Sequence, residues 1–244
     1  MTIITPDLLY VTMGVTWPSK SNALKGMWWI HEGGGGGKRV SAATLSARGV
    51  MPDIDAAERE MRALGQPRLF MIRHNDSALD HLLAERGYHT LDPSVIYAAP
   101  LEHLTDTPVP PVIAFELPEP LAIQRDIWAA GGIGAGRLDV MKRASGPKTT
   151  LLGRCKGRAA GTAFVAMGGP VAMLHALEVK AAFRKQGMAT HLTRAAAHWA
   201  ARQGASHLTL VTTRANVAAN ALYTGLGFKL VGHYQYRIHP EDSA

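Results

Sequence analysis

Residues 183–190 read FRKQGMAT, and residues 216–228 read NVAANALYTGLGF. The first stretch places Arg184, Gly187 and Ala189 in an R-x-x-G-x-A turn. It lies between an apolar, strand-like run (Val171–Val179) and an alanine-rich helical run (188–203). A glycine-bearing turn that opens a helix leaves backbone N–H groups unpaired, and the helix dipole adds positive potential there. Such a site suits phosphate. N–H groups of Gln186, Gly187, Met188, Ala189 and Thr190 can converge on a diphosphate, with Arg184 and Lys185 adding charge. The second stretch sets Asn216, Ala219, Leu222 and Tyr223 on successive turns of a short helix ending at Gly227-Phe228.

Working outward, hydrophobic periodicity predicts helices over 119–130 and 137–144, separated by a glycine-rich turn at 131–136. Strands follow over 149–156, 160–167 and Val171–Val179, then a helix, a strand (His207–Thr213), a helix and a last strand over 228–238. The order ααβββαβαβ implies an α/β (α+β) fold on a mixed sheet. Prolines 108, 110, 111, 118 and 120 punctuate the chain before it. Proline donates no ladder hydrogen bond and disfavours helix before it, so this stretch reads as a crossing segment. The division expected is 1–105, 106–120 and 121–244.

The two motifs, in this order, resemble the acetyl-CoA-binding core of the GCN5-related N-acetyltransferase (GNAT) superfamily. The resemblance implies the GNAT fold, acetyl-CoA as co-substrate without a metal, and acetyl transfer to a primary amine. It implies that Val171–Val179 splays from its neighbour, so that backbone at Leu177 and Val179 holds the pantetheine arm and polarises the thioester carbonyl. Tyr223 becomes the general acid, because a phenol of pKa about 10 is protonated at neutral pH and can donate to a departing thiolate. Asn216 either bonds the cofactor arm or caps its helix. Relatives carry His or Glu near the end of this strand as a base working through water. Strand alternation would put His175 on the face of Leu177 and Val179, and Glu178 on the opposite face, which ranks His175 first. Val211 and Thr212 stand where some relatives have an acid, and Ala181 where many have proline.

The first half carries its own pattern. Strands are expected over 28–31, 38–45 and Leu69–Arg73, and helices over 53–64 and Ser77–Glu85, the last ending at Gly87-Tyr88. Aligning Gly87 with Gly227, an offset of 140 residues, brings Asp76 onto Asn216, Leu82 onto Leu222 and Leu83 onto Tyr223. This looks like a decayed, GNAT-like copy of the same half-fold. It lacks the phosphate turn and the phenol, so a structural or substrate-shaping role is expected. The run WWIHEGGGGGKRVSAATL also resembles the start of some bacterial two-part acetyltransferases.

Other motifs fail on inspection. Residues 33–39 read GGGGGKR, but G-x-x-x-x-G-K-[ST] would need glycine at Glu32 and a hydroxyl at Arg39. A hairpin turn between Trp29 and Val40 fits better. GGIGAGR (131–137) lacks the last glycine of G-x-G-x-x-G and follows a helix. It reads as a loop at the acceptor end, with Trp128, Trp28 and Trp29 as aromatic walls. His191 and His198 are too far apart on one helix to chelate an ion.

The chain has 244 residues, a net charge of +7 and one cysteine, Cys155, which excludes an internal disulfide and suits a cytoplasmic setting. No run approaches a membrane span and the first residues lack a signal-peptide pattern. The charge is dispersed, without the interleaved aromatics of a single-strand platform, and does not establish nucleic-acid binding. Three readings follow: an N-acetyltransferase taking a small-molecule or peptide amine, a non-catalytic acyl-CoA-binding or interaction module on the same fold, and a basic nucleic-acid binder. Oligomeric state is open, a homodimer included.

Overall fold

A computed structural model of the chain describes residues 2–47 and 51–243. In chain order the elements are α1 (Pro6–Thr16), β1 (Ser21–Lys25), β2 (Trp28–Glu32), β3 (Thr44–Leu45), α2 (Ile54–Ala63), β4 (Leu69–Arg73), α3 (Ser77–Glu85) and β5 (His89–Pro100). They continue as α4 (Glu102–Thr105), β6 (Ala114–Leu117), α5 (Ala122–Ala130), α6 (Ala135–Arg143), β7 (Lys148–Cys155) and β8 (Arg158–Gly168). The last are β9 (Val171–Val179), α7 (Met188–Arg202), β10 (His207–Thr213), α8 (Val217–Gly225) and β11 (Lys229–Ile238).

Eight strands form one mixed sheet in the order β4-β11-β5-β10-β9-β8-β7-β6, and β1-β2-β3 form a small separate sheet. On one face, α7 lays Leu192, Ala196 and Ala200 against Leu151, Ala163 and Leu174. Alanines on the helix let it approach the strands closely. On the other face, Leu9 and Met13 of α1 pack on Met173 and Tyr236, and Trp128 of α5 joins Phe164 and Ala166. Thr5 caps α1 by accepting from the Leu8 N–H at 3.2 Å, and Pro6 occupies its first turn, where a missing N–H costs nothing.

Several expectations change. The stretch 38–45 is a 3₁₀ turn (Lys38–Val40) followed by the two-residue β3, because the chain bends to bury Val40, Ala42 and Ala43 together, a spacing no straight strand provides. The hairpin expected after Trp29 keeps its antiparallel pairing, Trp29 opposite Thr44, but its two strands are joined by a long excursion. Part of the proline-rich crossing is the strand β6, tolerated between Pro111 and Pro118 because it is the edge of the sheet. α1, β1, β5 and α4 had no counterpart in the sequence reading.

β5 explains the relation between the halves. It pairs antiparallel with β10 (Ser94 opposite Thr213), while β11 pairs antiparallel with β4 (Tyr234 opposite Arg73). Shifting Arg73 and Ser94 by the same 140 residues gives Thr213 and Tyr234, so one pairing is the image of the other. Between β5 and β11, His89 faces Ile238 and Ala98 faces Lys229, and the shift exchanges these two pairs. The sheet therefore has a local two-fold between β5 and β11. Each half contributes its last strand to the other half's sheet.

Candidate active site

The stretch 183–190 folds as a tight turn into α7. Lys185 and Gly187 both have positive φ, 59° and 79°. Gly187 stands at the N-cap, where a side chain would be strained. The first bond of the helix runs from the His191 N–H to the Gly187 carbonyl, 3.0 Å. The N–H groups of residues 185–190 have no hydrogen-bond partner among the described residues. Consecutive free N–H groups in alternating conformations form a concave anion-binding nest, and the first turn of α7 carries no acidic residue to compete. Arg184 donates from Nε to the Val179 carbonyl (3.0 Å) and from Nη2 to Glu178 (3.2 Å). The Gln186 side chain turns away, donating to the Ala182 carbonyl and lying 3.7 Å from Cys155 Sγ.

β9 opens beside this turn. Its parallel pairing with β10 runs from Val171–His207 to Leu174–Leu210 and stops, although both strands continue. The splay leaves Leu177 and Val179 facing a gap. The opening begins at a bulge, where pairing with β8 shifts register and Ala176 adopts φ 50°. The Trp128 indole N–H holds the bulge by donating to the Ala176 carbonyl at 2.7 Å.

The bulge overturns the expected alternation. Leu174 and Val179 belong to the α7-side core, and Leu177 packs against it. His175 instead touches Trp17 and Phe164 on the α1 side. Glu178 shares that side, its carboxylate lying against Gly131 at the end of α5. One extra residue in the strand inverts the faces beyond it.

His175 is 5% exposed and both its nitrogens are engaged. The Thr16 hydroxyl donates to the Thr12 carbonyl (2.8 Å), so it accepts from His175 Nε2–H (2.9 Å). Nδ1 then accepts from Arg39 Nη1 at 3.4 Å. Burial, with the Arg39 charge adding to it, holds the imidazole well below its usual pKa, so it is neutral at pH 7.

On α8, Asn216 Oδ1 accepts from the Ala219 N–H at 3.1 Å, so it caps its helix. Tyr223, two turns further, is 7% exposed and packs on Tyr97 and Phe228. Its hydroxyl has no hydrogen-bond partner among the described residues. Burial pushes its pKa up to about 12.

One cavity of ≈ 970 Å³ joins these parts. Leu177, Val179, Arg184, Lys185, Gly187, Met188, Ala189, Thr190, Asn216, Tyr223, His175 and Glu178 all line it; Gln186 does not. The far end is built from residues the sequence did not single out: Trp17, Arg39, Asp92, Ser94, Tyr234 and Tyr236. Ile133 and Arg137 of the expected acceptor loop are there too. The expected tryptophan walls are not. Trp28 is in the core of the first half, bonded to the Asp53 carbonyl, and Trp128 is fully buried behind the bulge. The two glycine runs that imitate nucleotide loops meet here. A Cβ on Gly136 would stand 2.3 Å from the Gly35 carbonyl oxygen, so only glycine permits this backbone contact.

Residues 122–228 match the sequence profile of the Acetyltransferase (GNAT) family. This stretch is a GNAT domain. Acetyl transferase GW6a of Oryza sativa subsp. japonica is 44% identical over 71 residues, which are 29% of this chain and 17% of that protein. The chain thus spans less than a fifth of that relative. Among solved structures, a GCN5-related N-acetyltransferase from Kribbella flavida superposes with a TM-score of 0.73 at 18% identity, covering 98% of this chain and 97% of its own. A tandem GNAT protein from the clavulanic acid biosynthesis pathway gives 0.57 at 15% identity, covering 93% and 85%. At these identities the likeness is one of fold, and it extends beyond the GNAT domain to the first half. Among the described residues, no helix is long and apolar enough to cross a membrane, and no group of three or more His, Cys, Asp or Glu side chains could hold a metal.

Proposed function

We propose that the chain is an acetyl-CoA-dependent N-acetyltransferase for a primary amine, with residues 121–244 as the catalytic half and 1–105 as a degenerate half that completes the acceptor end. The observation that carries this reading is a conjunction. The unpaired N–H groups of residues 185–190, the open edge of β9 and the Tyr223 hydroxyl face one cavity. The free N–H nest fits a pyrophosphate, with Arg184 and Lys185 at its rim. Bound acetyl-CoA would supply an acyl thioester. Backbone at Leu177 and Val179 would orient its arm, and Asn216 lines the same path while capping α8. Tyr223 holds the proton for the departing sulfur. A cytoplasmic setting, where thiols stay reduced, belongs to the same proposal.

For the base, the geometry favours Glu178 over His175. The imidazole has both nitrogens occupied and a depressed pKa. Glu178 lines the cavity and is about one-fifth exposed. A carboxylate there can take the amine proton directly or through water. Glu178→Gln should lower kcat about a hundredfold with little change in the KM for acetyl-CoA. Steady-state kinetics check this, and an undiminished kcat would remove the role. The overall reading is tested by thiol release from acetyl-CoA across a panel of amines. Binding of the coenzyme without thiol release from any amine would identify a binding module instead.

A further inference from the structure

The acceptor end holds a cation without a counter-ion. Arg39 closes the glycine-rich run and lines the cavity. Its Nε is shielded from solvent and has no hydrogen-bond partner. Arg39 contacts His175 Nδ1 at 3.4 Å and hydrogen-bonds the Tyr234 and Tyr236 hydroxyls, none of them an acid. The phenols of Tyr234 and Tyr236 stand beside it, both nearly fully buried. Burial works against the charge, yet guanidinium does not deprotonate in proteins. A half-buried cation with a shielded, unpartnered Nε and no acid beside it calls for an anion.

The neighbouring charges sharpen the point. The two carboxylates lining the cavity already have partners: Asp92 pairs with Lys38 at 2.8 Å, and Glu178 with Arg184 at 3.2 Å. Arg137, on the same wall, bonds only the Gly132 carbonyl at 3.4 Å. The acceptor end is therefore net positive. A diamine or an oligocationic tail would meet repulsion there.

The geometry points to Arg39 as the carboxylate-recognising residue of the acceptor site, so that the acceptor is a small primary amine that also carries a carboxylate. The inference rests on the transferase reading above for the amine and on the Arg39 environment for the acid. A guanidinium offers two parallel N–H donors that match a carboxylate's oxygens. Tyr234 and Tyr236 hydroxyls could complete the clamp. His175, neutral and held by Thr16, positions the guanidinium from behind.

The test pairs α- and ω-amino acids with their carboxamides and with diamines of equal length. Thiol release should favour the acids by about tenfold or more in kcat/KM, the ratio expected for one charge-assisted bond. Arg39→Gln should collapse the acid-to-amide ratio towards one by raising the acceptor KM, and Arg39→Lys should restore part of it. Amides or diamines preferred by the wild-type protein, or a ratio unmoved in a folded Arg39→Gln, would overturn the assignment. Calorimetry on coenzyme-saturated protein separates this from the transferase reading. If no amine is acetylated, that reading falls. The anion site is then upheld by an amino acid that binds wild type and not Arg39→Gln, and overturned by absent or equal binding.

Discussion

Tyr223→Phe is expected to lower kcat by about tenfold or more while acetyl-CoA binding is retained. The substitution removes one oxygen and keeps the ring that packs on Tyr97 and Phe228, 6.3 and 5.6 Å between centroids. The hydroxyl has no partner among the described residues, so its loss breaks no structural bond. Fold and coenzyme affinity should therefore stay close to wild type, and the deficit should fall on the step that protonates the leaving sulfur. The pH profile adds a second check. With the phenol's pKa pushed up to about 12, Tyr223 stays protonated to about pH 11, so it gives the rate no basic limb below that. The same shift has a stability consequence of known sign. The folded-state pKa lies above the unfolded value near 10, so the contribution is complete below pH 10 and fades as pH rises towards 12. His175 acts in the opposite direction. Its folded pKa lies below 6.5, so stability is lost as pH falls beneath that value. Full activity of Tyr223→Phe in a thiol-release assay would refute the acid role.

The second large effect concerns the exchanged strands. Residues 113–244 expressed alone are expected not to fold, although they contain every residue matched by the GNAT profile. Without the first half, β10 loses β5 along seven facing pairs, and β11 loses both β5 and β4. Val95, Tyr97 and Leu101 leave the core beneath α7, and Ile96 leaves the core beneath α1. At roughly 1.5–3 kcal/mol for each large side chain, the loss is about 6–12 kcal/mol. Typical net stabilities are about 5–15 kcal/mol, so little is left. Circular dichroism and thermal melting of the fragment, alone and mixed with residues 1–112, decide the matter. A cooperative transition near the wild-type temperature for the isolated fragment would contradict strand exchange as the bond between the halves.

The sequence was most readable where local chemistry sets local structure. The bounds of β9 and β10 could be read because each is an apolar run closed by turn-forming residues. The phosphate turn could be read because free N–H groups at a helix start follow from the chain itself. The 140-residue offset was visible in the α3 and α8 helices, but the exchange was not. A strand's partner depends on contacts across the whole chain, and β5 carries Pro93 in a run without clean alternation. The bulge at Ala176 was equally hidden. It needs a left-handed alanine, held by an indole 48 residues away, and it moved His175 off the face of Leu177 and Val179 onto that of Glu178. Arg39 could not have been found, since its site forms only where the glycine run of one half meets the loop of the other.

The most direct measurement of the central claim is a crystal structure with coenzyme A bound. The account predicts the pyrophosphate seated against the N–H groups of residues 185–190, the arm passing through the gap beyond Leu174 and Leu210, and the sulfur within hydrogen-bond reach of the Tyr223 hydroxyl. A coenzyme lodged elsewhere, or a sulfur remote from that hydroxyl, would contradict it.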